Sequence, residues 1–354
     1  MNAALPPLRQ GPTAWYGPNL EKQKDQWIFE LSKLQIQELE NAAAHFWASK
    51  KSIGQMTQKD FPLPQLSTKL GAFQQQLIKG IGFGLIKGLP IDRYSEEEMI
   101  SMFYGIGTYI GHARSQNARG HIIGQVRNLG LDSQDPKVRL YQTNERQTFH
   151  TDSCDVVGLL CVQSAKEGGR SLLVSADTIF NCMHQSRPDL LALLLQPIAT
   201  DRRGEVPEGM APYLLIPVFS YFAGFVTPFY QRQYIESAQR FPQAPRLSPK
   251  HFEALDYFDK LCNDPELHLS MLLEKGDLQF VYNHAMLHDR TGFIDYSEIN
   301  KRRHLARLWL SVPGDRPLPD IFASRFGSVE VGNRGGIVVP GTKLSVPWMK
   351  DLLA

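Results

Sequence analysis

The chain has 354 residues, 42% hydrophobic and 21% charged, with a formal net charge of +2. That length buries one large core or two modest ones, and the near-balanced charge excludes the clustered basic surface of a nucleic-acid binder. The four cysteines, Cys154, Cys161, Cys182 and Cys262, show no paired spacing, which argues against structural zinc and for buried thiols in a reducing cytoplasm.

No apolar stretch follows a basic start, so no secretory signal is expected. Residues 1–26 read as an irregular lead-in with prolines at 6, 7 and 18. Ser32 and Gln35 have capping-box spacing ahead of Leu34, Leu39 and Ala43, which predicts a helix from Ser32. Residues 81–89 read as a strand ended by Pro90. Ser95 and Glu98 repeat the capping box and open a second helix through Met99, Ile100, Met102 and Phe103.

After Gly105 the texture changes to short apolar runs separated by Gly, Pro, Asp and Asn. Strands are predicted at 148–157, 158–163, 170–174, 214–219, 278–282 and 305–312, with helical interludes at 188–195 and 251–262. Residues 211–230 carry no charge over a length that can span a bilayer. Pro212, Pro217, Gly224 and Pro228 would break such a helix, so two short strands, 214–219 and 222–226, are predicted there and no membrane span. The pattern is mainly β with flanking helices (α+β), a jelly-roll or barrel core in one domain.

Ligand-type residues come together at Phe149-His150-Thr151-Asp152. On an extended strand His150 and Asp152 point to one face and can reach one metal ion. A second histidine from a distant strand would complete a two-His, one-carboxylate triad, whose open positions suit non-haem Fe(II). Downstream, the strand at 278–282 leads into Asn283-His284-Ala285-Met286-Leu287-His288-Asp289-Arg290. Spacing alone does not choose between His284 and His288. Arg303 and Arg307 follow on an apolar strand, four apart and so on one face. An arginine held there invites a carboxylate, or else covers core surface with its stem. Asn144, Arg146 and Thr148 precede His150 by even steps and are expected on its face as pocket residues. His112 and His121 lie in a loop-rich stretch where substrate contact is a further option. The aromatics Phe219, Tyr221, Phe225 and Tyr230 line a pocket or fill the core. Arg202 and Arg203 read as solvated charges.

These segments, in this order, resemble the taurine catabolism dioxygenase (TauD/TfdA-like) family. The motifs are the strand Gly82-Phe83-Gly84-Leu85-Ile86-Lys87-Gly88-Leu89-Pro90, His150-Thr151-Asp152, Gly168-Gly169-Arg170-Ser171, Asp201-Arg202-Arg203-Gly204-Glu205 and His288-Asp289-Arg290-Thr291-Gly292-Phe293. The resemblance covers 27–313 and leaves 314–354 as a C-terminal extension. It implies a double-stranded β-helix (jelly roll), with Fe(II) at His150, Asp152 and His288 and 2-oxoglutarate as co-substrate. It also implies that Arg303 meets the distal carboxylate of 2-oxoglutarate and that Ser171 stands where the family often has threonine. Arg307 then falls where an anionic substrate is met, with Arg146 and Asn144 as further substrate contacts. The implied partners are a small-molecule substrate and O2, with neither nucleic acid nor membrane.

Hydroxylation of a small anionic or amino-acid-like molecule, with release of succinate and CO2, is the expected outcome. Desaturation or cyclisation uses the same cofactor chemistry, and the presence of Asp152 argues against halogenation. A cupin-like enzyme using another metal and a catalytically silent jelly-roll binding protein are the competing readings. Dependence on 2-oxoglutarate, metal content and succinate release separate them.

Overall fold

The computed structural model describes residues 4–131, 140–207, 209–337 and 343–348. Both predicted capping boxes form. Ser32 caps the helix Lys33–Ala48 through Gln35, and Ser95 caps Glu96–Thr108 through Glu98, so each helix starts with an otherwise orphaned N–H satisfied. A further helix, Leu66–Lys79, was not foreseen. It presses Phe73 so closely on the strand Phe83–Lys87 that a Cβ at Gly84 would lie 2.3 Å from the Phe73 ring.

Two main sheets carry the site, beside three two-stranded ribbons among the described residues. In the larger, Ile28–Glu30, Phe83–Lys87, Leu278–Tyr282, Val156–Gln163, His304–Ser311 and His112–Arg114 follow one another, and Ile123–Arg127 also pairs with His304–Ser311. The smaller orders Leu269–Met271, Ser171–Ser175, Met286–Arg290 and Gln147–His150. The chain crosses repeatedly between them: 147–150 to 156–163 to 171–175, and later 278–282 to 286–290. Such alternation is the winding of a jelly roll.

Helices cover the outer face of each sheet. Phe46, Phe103 and Leu70, fully buried on helices, pack with Phe83, Phe280 and Leu308 of the larger sheet. Ile179 and Phe258 pack with Val174 and Leu287 of the smaller. Each fully buried phenylalanine contributes about 1.5–3 kcal/mol. With both outer faces sealed, the space between the sheets is left for polar side chains.

Several boundaries differ from expectation. The boundary between the two strands predicted at 148–157 and 158–163 falls instead at 151–155, where the chain turns from one sheet to the other. The uncharged 211–230 stretch forms Tyr213–Ile216 and the hairpin Phe219–Phe222/Phe225–Pro228, shifted from the predicted strands. No helix of the described residues is long and apolar enough to cross a membrane. The lead-in is not wholly irregular. Gly17–Glu21 is helical, and buried Trp15 donates its indole N–H to the Ile81 carbonyl at 2.8 Å.

Candidate active site

Antiparallel pairing of Met286–Arg290 with Gln147–His150 sets His288 directly opposite His150, with ring centroids 4.2 Å apart. The turn after His150 brings Asp152 Oδ2 to 3.8 Å from His288 Nε2. Ligand atoms of all three residues lie within 4.8 Å of one another.

His150 and Asp152 are held by hydrogen bonds, whereas buried His288 Nδ1 has no partner among the described residues. His150 Nδ1–H donates to the Thr148 carbonyl at 2.8 Å, so its Nε2 lone pair faces inward, where the Gln147 amide meets it at 3.0 Å. Asp152 accepts the Trp309 indole N–H on Oδ2 at 3.0 Å, and its backbone N–H donates to Asn283 Oδ1 at 2.9 Å. Burial, with His150 beside it, pulls His288 down to about 3, and burial also lowers His150. Burial pushes the Asp152 carboxyl up, but Arg307, the two histidines and the Trp309 N–H together outweigh it and the group sits below the usual carboxylate range. Neutral imidazoles with an ionised carboxylate are the forms that bind metal. This donor set fits a ferrous ion with open coordination positions.

The cavity around these groups is lined by Arg303, Arg307, Arg290, Ser171, Tyr141 and Gln147 among others. Arg303 lies almost wholly buried with Nη1 unpartnered among the described residues, and burial pulls it down to about 10. Ser171 donates its hydroxyl to Gln279 Oε1 at 2.9 Å. Arg307 donates Nε–H to Gln116 Oε1 at 2.8 Å, while its Nη1 stands 3.6 Å from Asp152 Oδ2. Its guanidinium carbon lies 4.9 Å from the ring centroids of both Tyr141 and Trp309. Arg303 and Arg307 thus share one face of the cavity.

Arg146 and Asn144 are exposed and are not brought to the cavity. Arg146 is captured by Asp289, at 3.0 Å from Nε, and reaches Asn263 at 2.5 Å. The even-step extrapolation fails because the strand begins only at Gln147. Its register also slips between the His288↔His150 and Arg290↔Gln147 pairs. An irregularity of that kind switches the face of the residues beyond it, so Gln147 enters the cavity and Thr148 is exposed.

His284 sits in the turn between two strands, not on one extended strand with His288. Its Nε2 lies 2.8 Å from Asp155 Oδ1. His112 contacts the Gly332 carbonyl and His121 contacts Asn117, both away from the cavity. Phe219 and Tyr230 are core, whereas Tyr221 and Phe225 are exposed. Arg202 is buried, not solvated, and donates to the Ser324 carbonyl at 2.7 Å.

Asp155, His284 and Asp315 form a second buried cluster of ligand types, also within 4.8 Å of one another. Here Arg334 donates Nε–H to Asp155 Oδ1 and Nη2–H to Asp315 Oδ2, each at 2.7 Å, with no part of Arg334 exposed. Asp155 Oδ2 accepts the Ser311 hydroxyl and the Val312 N–H at 2.8 Å, and the Tyr282 hydroxyl donates to Asp315.

Residues 43–309 match the model of the taurine catabolism dioxygenase TauD, TfdA family. The chain belongs to this family. It is an Fe(II)- and 2-oxoglutarate-dependent dioxygenase with a jelly-roll core. FR-33289 synthase of Streptomyces rubellomurinus is 30% identical over 318 residues, which cover 87% of this chain and 92% of that protein. A taurine hydroxylase-like protein of Stachybotrys chartarum is 29% identical over 306 residues, 83% of this chain and 77% of its own. Among solved structures, an asparagine oxygenase with Fe(II), 3-hydroxyasparagine and succinate superposes with a TM-score of 0.62 at 16% identity. It covers 80% of this chain and 93% of that one. The matched segment contains every residue of the candidate metal cluster and ends before Arg334.

Five contributors to the site are absent from the candidates drawn from the sequence: Trp309, Tyr141, Gln147, Gln116 and Asn283. Trp309 had a usable signal, since it stands two residues beyond Arg307 on the same strand face. Gln116 lies in a loop, where no periodicity points to it.

Proposed function

We propose that His150, Asp152 and His288 hold the iron. Arg303 and Ser171 hold the distal end of 2-oxoglutarate, and Arg307 receives the anionic group of a small, amino-acid-like substrate. The observation that carries this is the meeting of three inward-facing metal donors with two buried arginines on one strand face, inside one cavity. Iron bound there supplies oxidative decarboxylation of 2-oxoglutarate by O2 and abstraction of a substrate hydrogen, with succinate and CO2 as by-products.

The chain's own residues set the conditions. Trp309 and Arg307 engage Asp152 Oδ2 and hold the carboxylate in place beside the two imidazoles. The Thr148 carbonyl fixes the His150 tautomer, as an outer partner does for most metal-bound histidines. Tyr141 and Trp309 flank Arg307 and hold its guanidinium plane steady, so an anion is met by a pre-oriented fork. Burial excludes water and strengthens each of these contacts.

The substrate class draws support from the relatives, one named for taurine and one crystallised with a hydroxylated amino acid. Hydroxylation follows from the same comparison. The four free thiols, three of them buried, are consistent with a reducing cytoplasm. The test is succinate release by the Fe(II)-loaded protein across a panel of amino acids, sulfonates and phosphonates. At least one anionic compound should stimulate release and gain one oxygen atom, and Arg307→Met should remove the stimulation. If neutral compounds of the same size stimulate equally, the assignment of Arg307 is wrong.

A further inference from the structure

The inner end of the cavity holds a second arginine that the family pattern of one co-substrate arginine leaves over. Arg290 is only 7% exposed, and among the described residues its Nε and Nη1 have no hydrogen-bond partner. One remaining nitrogen, Nη2, donates to the Glu145 carbonyl and pins the group in place. Arg303, 4% exposed, likewise leaves Nη1 without a partner. Both guanidiniums pack on the Phe293 ring, at 4.8 Å and 5.2 Å from its centroid. Two cations are therefore buried side by side with three N–H-bearing atoms unsatisfied. Buried donors are normally paired, and buried charges more strictly still.

The acid beside them does not resolve this. Asp295 accepts the Arg303 backbone N–H through Oδ1 at 2.7 Å, while its Oδ2 is itself unpartnered among the described residues. A carboxylate entering from the cavity offers two oxygens with about four lone-pair sites, enough for all three donors.

We propose that Arg290 donates to the same distal carboxylate of 2-oxoglutarate as Arg303, making the inner subsite a two-guanidinium clamp that selects 2-oxo acids bearing a second carboxylate. This rests on the assignment of Arg303 to that carboxylate. The clamp explains why Arg290 is held by a neutral carbonyl and not by an acid. A full ion pair within the protein would leave less of its charge for the ligand.

Equilibrium binding to the Mn(II)-loaded protein tests this without turnover. The probes are 2-oxoglutarate and 2-oxovalerate, which has a methyl group in place of the distal carboxylate. Arg290→Met should weaken 2-oxoglutarate on the order of 30-fold, the loss of a charged hydrogen-bonded contact, and leave 2-oxovalerate within about twofold. Arg290→Lys, which keeps the charge, should recover part of the loss and serves if the Met variant does not fold. If Arg290→Met and Arg290→Lys both leave 2-oxoglutarate binding unchanged while Arg303→Leu weakens it, Arg290 is no part of the clamp. Equal weakening of both probes would show a general structural role and also overturns the proposal. If Arg303→Leu too leaves 2-oxoglutarate unaffected, the assignment of the co-substrate end fails, and the clamp with it.

Discussion

Two buried clusters of one histidine-and-acid type lie three residues apart along the chain, at Asp152 and at Asp155. Both bring ligand atoms within 4.8 Å of one another. In the first, the inward nitrogens of His150 and His288 and one oxygen of Asp152 are left for a guest. In the second, Arg334, His284, Ser311 and Val312 take up the oxygens of Asp155, and Arg334 with Tyr282 engages Asp315. Ligand chemistry is therefore not what distinguishes a metal site here. The difference is how closely the protein already supplies the cation: Arg334 donates to Asp155 and Asp315 at 2.7 Å, whereas Arg307 stands 3.6 Å from Asp152.

The sharpest test exchanges the histidines. His288→Gln and Asp152→Ala should lose stoichiometric metal and all turnover, while folded His284→Gln should keep its metal. Metal content by mass spectrometry decides, and the reverse pattern would break the comparison. Next, Arg334→Met should lower unfolding stability by about 3–5 kcal/mol in urea, because it strands two buried carboxylates. The metal content of the protein that remains folded should be unchanged. A near-zero effect would mean that the second cluster does not depend on its internal cation.

Arg303→Leu should then weaken 2-oxoglutarate by about 2–3 kcal/mol, roughly 30- to 150-fold, without loss of metal. Arg307→Met should raise the KM of an anionic substrate by roughly tenfold or more, while slow substrate-independent turnover of 2-oxoglutarate survives. Loss of folding with no selective effect on KM would make Arg307 structural.

A fourth buried histidine calibrates both clusters at smaller amplitude. His304 faces the neutral Gln125 amide oxygen. Burial, with Arg127 and Arg303 nearby, pulls it down to about 4. Unfolded, it titrates near 6.5. Between those values the unfolded chain takes up a proton that the folded protein refuses. Its stabilising contribution is thus complete above about pH 6.5 and is lost as pH falls toward 4. The loss is about 1 kcal/mol by pH 6 and about 2 kcal/mol by pH 5. His304→Gln should flatten this part of the Tm-against-pH curve, and an unchanged slope would refute it.

How much of this could be read from the residues follows from where periodicity applies. Arg303 and Arg307 share one face because the pairing slip between His304 and Leu305 puts its extra residue on the partner strand 156–163 and leaves the alternation through 303–307 intact, and the two capping boxes were found because their signal is local. Arg146 and Asn144 were misplaced because an irregularity in strand pairing is invisible in a list of side chains. The spacing of His284 and His288 was ambiguous because the turn at 283–285 breaks the strand on which both would have shared a face. Arg334 lay in a tail with no assignable role, since a fully buried guanidinium partnering residues 179 positions away leaves no local mark.

That separation matters for the order in which the protein is made. A ribosome completes Asp155 long before it adds Arg334, so a nascent chain carries buried-type acids whose counter-charge does not yet exist. Until Arg334 emerges, Asp155 and Asp315 lack the guanidinium from which both accept in the folded protein. Gly336 then closes the arrangement by donating its N–H to the Ser153 carbonyl at 2.7 Å, beside Asp152 itself. The strands of the jelly roll end at residue 311, but the contacts that hold the turn carrying Asp152 include residues 334 and 336 and are complete only once these have been added.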